Sequence, residues 1–226
     1  MSSDRNFLSS KWQTQAILSQ HGQQATSDQI GSNGAWSNFQ SLLQKSVDAG
    51  ALFSNPIPST YSLAYTASGA YQGGVLAPNG DIHFVPLVAA VGQKISAAGI
   101  ASTYSLVYTS GFSYEGGVLA PNGDIHFVPQ VATVGQKIAI DGTVSTYSLV
   151  YTNVGGGYSG GVLAANGDIH FVPRSAIVGQ KISANGIVST YSLAYTISSA
   201  YVGGVLGTDG TVYFVPQAAA VGQKVA

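Results

Sequence analysis

The chain lacks cysteine altogether, and only 8% of its 226 residues are charged. The absence of cysteine excludes disulfide bonds and thiolate metal sites. The net charge of −1 offers no basic surface to nucleic acid or to an anionic membrane. No apolar run approaches the roughly 20 residues of a membrane span, and the N-terminal stretch MSSDRNFLSSKWQ has no apolar signal core. The sequence therefore argues against nucleic-acid binding, membrane insertion and Sec export.

A single motif, GGVLAPNGDIHFVP, is repeated along the chain. It fills residues 73–86 and 116–129 without a change, recurs at 160–173 with one change, and returns as GGVLGTDGTVYFVP at 203–216. The motifs STYSL and VGQK recur with the same spacing of about 43 residues. A fixed period of this size indicates a repeat architecture. Residues 59–226 are therefore interpreted as four multiplied structural units.

Each unit reads as four short strands. GGVLAP and DIHFVP flank Asn-Gly, or Asp-Gly in the last unit, which is the strongest short hairpin signal. VGQKI and STYSLAYT supply the other two strands, the latter with large residues alternating in a period of two. Four strands in about 43 residues is the size of a β-propeller blade. The order of strands also resembles NHL-type and SMP-30-like propeller blades, and that resemblance implies a β-propeller. With four repeated units, the prediction is an all-β, four-bladed β-propeller.

The two ends of the repeat region are expected to share one blade. The region opens with a lone strand at 59–66 and closes with three strands at 203–225. Together they make a split closing blade that leaves no open sheet edge. The alternative is an open or inter-chain arrangement, in which strand 59–66 completes the sheet of a neighbouring chain.

Residues 1–58 do not belong to the repeat and are predicted to form a small helical anchoring segment with a Pro-containing linker. The stretch AWSNFQSLLQKSVDAGA carries an apolar stripe at helical spacing. Two short helices bury little apolar surface alone, so the segment is expected to mediate assembly, including homo-oligomerisation. The assembly residues are Trp12, Trp36, Phe39, Leu43 and Val47.

Candidates for chemistry are few. His83, His126 and His170 occupy one position in three units, and a ring of imidazoles is one way to hold a metal. The other interpretation, packing or local hydrogen bonding, is preferred because the fourth unit has Tyr213 there. There is no nucleophile elbow, HExxH motif or phosphate loop. The expectation is a protein without metal or cofactor that is not an enzyme.

Sequence differences among the units mark a recognition face. The loops before the GGVL strand and after the HFVP strand vary, while the Asn-Gly turns hardly change. Function commonly resides in loops on a rigid scaffold. The predicted recognition residues are Tyr71, Tyr114, Tyr158, Tyr201, Glu115, Gln130, Asn153 and Arg174. The alternative for the tyrosines is that they wedge between adjacent blades.

Taken as a whole phrase, GGVLAPNGDIHFVP…VGQKI…STYSLVYT resembles repeats of structural proteins from tailed bacteriophages. This resemblance, over residues 59–226, implies a virion component: a tail, fibre or capsid-attached appendage, made in the host cytoplasm. Residues 1–58 would then bind other virion proteins, and the propeller would contact a host-surface glycan, a receptor or a virion neighbour. The alternative function is a free, lectin-like propeller that binds glycans.

Overall fold

The computed structural model describes residues 58–226, whose regular structure is entirely antiparallel β-sheet. Blade 1 contains β1 (Tyr71–Leu76), β2 (Ile82–Pro86), β3 (Val91–Ile95) and β4 (Ala101–Ser105). Blade 2 contains β5 (Tyr114–Leu119), β6 (Ile125–Pro129), β7 (Val134–Ile138) and β8 (Val144–Ser148). Blade 3 contains β9 (Tyr158–Leu163), β10 (Ile169–Pro173), β11 (Val178–Ile182) and β12 (Val188–Ser192). Blade 4 contains β13 (Tyr201–Leu206), β14 (Val212–Pro216) and β15 (Gln223–Val225).

The predicted all-β fold of repeated strand units is confirmed. In each blade the strands pair with their neighbours in chain order. The first hairpin forms where Asn-Gly predicts it, because Gly80 supplies a φ of +86° and Asn79 Oδ1 accepts a hydrogen bond from the Asp81 N–H at 3.0 Å. These interactions are local, so an identical sequence gives an identical turn in blade 2.

The fourth strand of a blade is shorter than predicted because the chain leaves the sheet there. β4 ends at Ser105, and the following residues cross to blade 2. The backbone N–H of Tyr108 donates to Oε1 of Gln136 in blade 2 at 2.8 Å, which anchors the crossing. Gln180 receives the equivalent hydrogen bond in blade 3.

The apolar core lies between blades. Val75 and Val85 of blade 1 pack in one cluster with Tyr114, Ile125 and Phe127 of blade 2. The close approach depends on the second glycine of the GGVL strand. At the equivalent position in blade 2, Gly117, an added Cβ would lie 2.8 Å from Cγ2 of Val75, a distance that real structures avoid. The same packing joins blade 2 to blade 3 and blade 3 to blade 4.

The predicted split closing blade is wrong for the described residues. Blade 4 has three strands, and residues 58–70 form no strand. Tyr65 instead lies beside blade 1, where its N–H donates to Gln93 Oε1 at 2.7 Å. Residues 58–70 thus approach blade 1 as the residues after β4 approach blade 2. They do not pair with blade 4. To close a ring of few blades, each blade must be rotated by a large angle relative to the blade before it. That angle depends on how neighbouring blades pack and not on the number of strands.

The two ends of the row of blades are consequently exposed. Val205 of blade 4 is 60% exposed, whereas its equivalents Val75, Val118 and Val162 are each 8% exposed. The described blades therefore form an open row, in which the first and last blades each have one side without a neighbour.

The predicted helical segment 1–58, with Trp12, Trp36, Phe39, Leu43 and Val47, lies outside the described residues except for Pro58. Within the part of the chain that the structure describes, no helix has the length and apolar character needed to span a membrane.

Candidate recognition site on the inner rim

The three repeated histidines make local hydrogen bonds. Nδ1 of His83, His126 and His170 lies 3.2, 3.3 and 3.2 Å from the hydroxyl of a tyrosine on the fourth strand of the same blade. Burial lowers the pKa of His126 to about 4, so this imidazole is neutral at neutral pH. Between residues 58 and 226, no group of three or more His, Asp or Glu side chains is placed to hold a metal ion. The histidines act as scaffold.

The repeated lysines and aspartates form ion pairs that join two turns of one blade. Lys94 Nζ lies 2.7 Å from Asp81 Oδ2, and Asp81 Oδ1 accepts a hydrogen bond from the N–H of Ala97 at 3.2 Å. The hydrogen bond from Lys94 holds the pKa of Asp81 below its ordinary value. Blades 2 and 3 repeat the pair at 2.7 and 2.6 Å. Repetition in each of these blades points to blade construction.

The prediction that four tyrosines present stacking surfaces is wrong for three of them. Tyr114, Tyr158 and Tyr201 are buried between blades, and Tyr71 is half-buried at the open side of blade 1. The hydroxyl of Tyr158 donates to the carbonyl oxygen of Val178 at 3.0 Å, and its ring centroid lies 5.5 Å from that of Phe171. The structure thus supports the alternative, in which these rings wedge between blades.

Glu115, in contrast, makes side-chain contacts that do not recur at the equivalent positions of the other described blades. Its Oε2 is 3.3 Å from Nη1 of Arg174 in blade 3, and its Oε1 accepts a hydrogen bond from Nε2 of Gln72 in blade 1 at 2.9 Å. Ser159 and Val202 occupy the equivalent position in blades 3 and 4. Polar side chains of three successive blades therefore meet at one carboxylate.

This set lies on the inner rim, where the first strands of neighbouring blades meet. The first strands β1, β5, β9 and β13 contact one another in sequence, and an added Cβ on Gly116 would lie 2.9 Å from Cα of Gly160. Gln72 and Glu115 each precede such a close-packed glycine. We call Gln72, Glu115 and Arg174 the inner-rim cluster.

Gln130 and Asn153, both predicted recognition residues, have different environments. Gln130 Oε1 is buried and, among the described residues, has no hydrogen-bond partner. Asn153 uses both ends of its amide: Nδ2 donates to the carbonyl of Ser175 in the loop after β10 at 2.9 Å, and Oδ1 accepts from the Gly155 N–H in its own loop at 2.8 Å. Asn153 therefore holds two loops of blade 3 together, whereas Gln130 retains an unused acceptor.

Phe112, which the sequence pattern did not single out, is an exposed aromatic residue three positions before Glu115. Its ring is 57% exposed, and its φ is +57°, a left-handed conformation that is unfavourable for a bulky residue. Gly69 and Gly156 occupy the equivalent position in blades 1 and 3, and both also have positive φ. The available signal was an aromatic residue where two other repeats carry glycine.

Together these residues provide what recognition of a polar ligand requires. Arg174 and Gln72 are donors, Glu115 is an acceptor, and Phe112 is an exposed aromatic residue in the loop that leads into β5. Glu115 is largely buried, with 14% of its side chain exposed, whereas Arg174 is 32% exposed. The arrangement presents a guanidinium to solvent while a buried carboxylate fixes its orientation.

Several solved structures share this fold. The catalytically inactive histidine-to-alanine variant of virginiamycin B lyase from Staphylococcus aureus with quinupristin is 21% identical, covering 73% of this chain and 57% of that one, with a TM-score of 0.60. A streptogramin B lyase structure is 25% identical, covering 67% and 52% respectively, with a TM-score of 0.55. The chain thus spans about half the length of these lyases. No family model and no curated protein matches the sequence.

These neighbours bear out one resemblance and correct one prediction. They are propellers of the NHL and SMP-30-like kind, as the strand order implied, and they bring no link to phage proteins. The prediction that the chain is not an enzyme is contradicted, because the structures with this fold include lyases. That prediction depended on the absence of motifs carried by helices, which an all-strand fold does not need for catalysis.

Proposed function

We propose that this chain is a structural protein of a tailed-phage virion, and that its blades recognise a host-surface glycan through the inner-rim cluster and Phe112. The resemblance of the whole repeat phrase to phage structural proteins supports the virion assignment. The contacts of the inner-rim cluster support the recognition assignment. A host-surface protein receptor or a virion neighbour is an alternative occupant of the same face.

The observation that carries the recognition proposal is the asymmetry of the cluster among nearly identical blades. Glu115 is the only glutamate in the chain, and Arg174 occupies a position that is Leu87, Gln130 or Gln217 elsewhere. The contacts that build the blades, such as the Lys–Asp pairs, recur in blades 1 to 3. Residues that differ among blades and yet contact each other across them fit a single ligand site.

A glycan is the ligand class that suits these groups. Sugars present adjacent hydroxyl groups, which pair with planar guanidinium and amide groups, and an apolar ring face, which stacks on an aromatic ring. Phe112 is the aromatic residue of the loop 110–113, and it is exposed on a strained backbone.

Replacing Phe112 by glycine separates recognition from stability. The variant Phe112→Gly is expected to fold at least as stably as the wild type, because glycine accepts the positive φ. Binding to a printed array of bacterial surface glycans is expected to fall roughly tenfold, since a stacked ring contributes about 0.5–1.5 kcal/mol beyond its buried area. Glu115→Gln, which removes the charge that orients Arg174, is expected to weaken binding to the same glycans.

The matched control is Ile187→Ala, which truncates an equally exposed apolar residue in the turn between β11 and β12. Its array signal should equal that of the wild type. Unchanged glycan binding by both Phe112→Gly and Glu115→Gln would contradict the assignment of the site.

A second candidate function is a lyase reaction at the same rim. The match to a streptogramin B lyase at 25% identity and a TM-score of 0.55 favours it, and Glu115 is a carboxylate suited to proton transfer. If this candidate is correct, incubation with quinupristin should give a product of equal mass with an opened ring, detected by liquid chromatography and tandem mass spectrometry. Glu115→Gln should abolish the product. Recovery of intact quinupristin after prolonged incubation with wild-type protein would exclude this substrate.

A further inference from the structure

The exposed side of blade 4 has the same apolar residues that the other blades bury. Val205 and Val215 are 60% and 43% exposed, whereas Val75 and Val85, at the same positions in blade 1, are 8% and 0% exposed. In blade 1 these valines are covered by blade 2. We call Val205, Val215 and the free edge of β15 the leading face.

The exposed side of blade 1 is the counterpart that such valines normally contact. Ile82 is 38% exposed, while its equivalents Ile125 and Ile169 are each 1% exposed. The atoms nearest to an added Cβ on Gly74 would all belong to blade 1, and the nearest would be 3.5 Å away. At Gly117 and Gly161 the same Cβ would lie 2.8 Å from a valine of the preceding blade. We call Tyr71, Gly74, Ile82 and Phe84 the trailing face.

The outer edge of β15 has no partner strand, whereas the third strand of blades 1 to 3 pairs with a fourth strand of the same blade. Gly92 of β3 lies beneath the ring of Tyr104 in the paired strand β4, and Gly135 and Gly179 are covered in the same way. At the equivalent Gly222, an added Cβ would meet nothing within 4 Å. Tyr61 occupies the position of Tyr104 in the STYSL motif, and it is 56% exposed.

The leading and trailing faces therefore complement each other, yet they do not meet within residues 58–226 of one chain. The N–H of Tyr65 donates a hydrogen bond to Gln93 of blade 1. This contact places the described residues before Tyr65 on the side of blade 1 that has no neighbouring blade. A preceding blade with a free third strand would receive them. Blade 4 of another copy has that free strand.

We propose that two copies of this chain associate head to tail, with the leading face of each copy covered by the trailing face of the other. In this arrangement residues 58–62, the equivalent of β4, form a strand that pairs with β15 of the other copy, with Tyr61 opposite Gly222 as Tyr104 is opposite Gly92. Each copy supplies one face of each kind, so the association gives two equivalent interfaces and a closed ring.

The count of blades favours two copies over more. Four blades from each copy give an eight-bladed ring, within the typical range of 4 to 8 blades. The chain also spans only 52–57% of the virginiamycin B lyase variant and the streptogramin B lyase, so two copies supply about one such chain length. Each new interface repeats one that already exists three times between successive blades of this chain.

Two substitutions at opposite ends test the proposal on the full-length protein by native mass spectrometry. Val205→Asp places a charge on the leading face, and Gly74→Val places a side chain where the other copy's Val205 would lie. Both positions are open in the isolated chain, so each variant should fold with a wild-type circular dichroism spectrum. Wild type should have twice the mass of one chain, and each variant alone should have the mass of one chain.

Mixing the two variants makes the test specific for a head-to-tail contact. Val205→Asp retains an intact trailing face and Gly74→Val an intact leading face, so the mixture should form two-copy species at raised concentration, held by one interface instead of two. The control Val154→Asp changes a valine that is 76% exposed, against 60% for Val205, in the loop before β9 and should leave the two-copy mass unchanged.

Four results would overturn the proposal. They are a wild type with the mass of one chain, a wild-type assembly of more than two copies, a two-copy mass retained by both end variants, and a mixture that stays dissociated. The last result would show that the leading face of one copy does not bind the trailing face of another. Retained association in both end variants would locate the contact elsewhere in the chain.

Discussion

Replacing Tyr158 by alanine is expected to destabilise the protein severely. Tyr158 is 1% exposed, packs on Phe171 and donates a hydrogen bond to the Val178 carbonyl. Truncation of a buried aromatic residue costs about 3–5 kcal/mol, and the carbonyl that loses its donor adds about 1 kcal/mol. The loss is a large fraction of the roughly 5–15 kcal/mol that stabilises a typical domain.

The measurement is chemical denaturation of the wild type, Tyr158→Ala and the matched variant Tyr158→Phe. Tyr158→Phe keeps the ring and removes only the hydroxyl, so it should lose about 1 kcal/mol. If Tyr158→Ala unfolds at the wild-type denaturant concentration, the ring is not part of the core between blades, and an exposed role for the tyrosines would regain support.

Deletion of residues 1–58 is expected to remove the protein from virus particles completely. The segment is the predicted assembly region, with apolar residues such as Trp36 and Phe39 that solvent disfavours. The blades should fold without it, since their core is built within residues 61–226. The truncated protein should therefore be soluble and retain its β-sheet circular dichroism.

Mass spectrometry of gradient-purified particles provides the measurement. Particles grown with the full-length gene should contain the chain, and those grown with the truncated gene should lack it. Trp36→Ser combined with Phe39→Ser is expected to have the same effect with less change to the chain. Incorporation of the truncated protein at the full-length level would contradict an anchoring role, and absence of the full-length chain from particles would contradict the virion assignment.

The parts of the fold that the sequence predicted are those that depend on neighbouring residues. Asn79-Gly80 forms its turn through an amide side chain two residues away and through the backbone freedom of glycine. Strand identity follows from alternation over five or six residues. Both features require only short stretches of sequence, and the repetition of those stretches gave the blade boundaries.

Ring closure could not be predicted in this way. The one-plus-three strand count correctly identified a missing strand in blade 4, but the angle between blades decides where that strand comes from. This angle depends on how deeply Val75 packs over Gly117, which is a distance between separate sheets. The exposed ends agree with the alternative of an open or inter-chain arrangement, and not with closure within one chain.

The candidate site was predicted in part for a similar reason. Variation among repeats selected Glu115 and Arg174, which the structure brings into contact, and their role in recognition stays a prediction. It could not show that Tyr114 points between blades, because the same alternation fits either side of a strand. Phe112 was missed because its significance lies in a backbone angle, and sequence reveals that angle only through the glycines at equivalent positions.

Hydrogen–deuterium exchange of the full-length protein, with and without the saccharide that binds best on the array, tests recognition at the inner rim most directly. We expect slower exchange on binding at residues 110–117 and 172–176, which carry Phe112, Glu115 and Arg174, with the Asn-Gly turns unchanged. Slower exchange confined to the turns at 78–81, 121–124 and 165–168 would contradict inner-rim binding, because recognition would then lie on the face that the repeats keep constant.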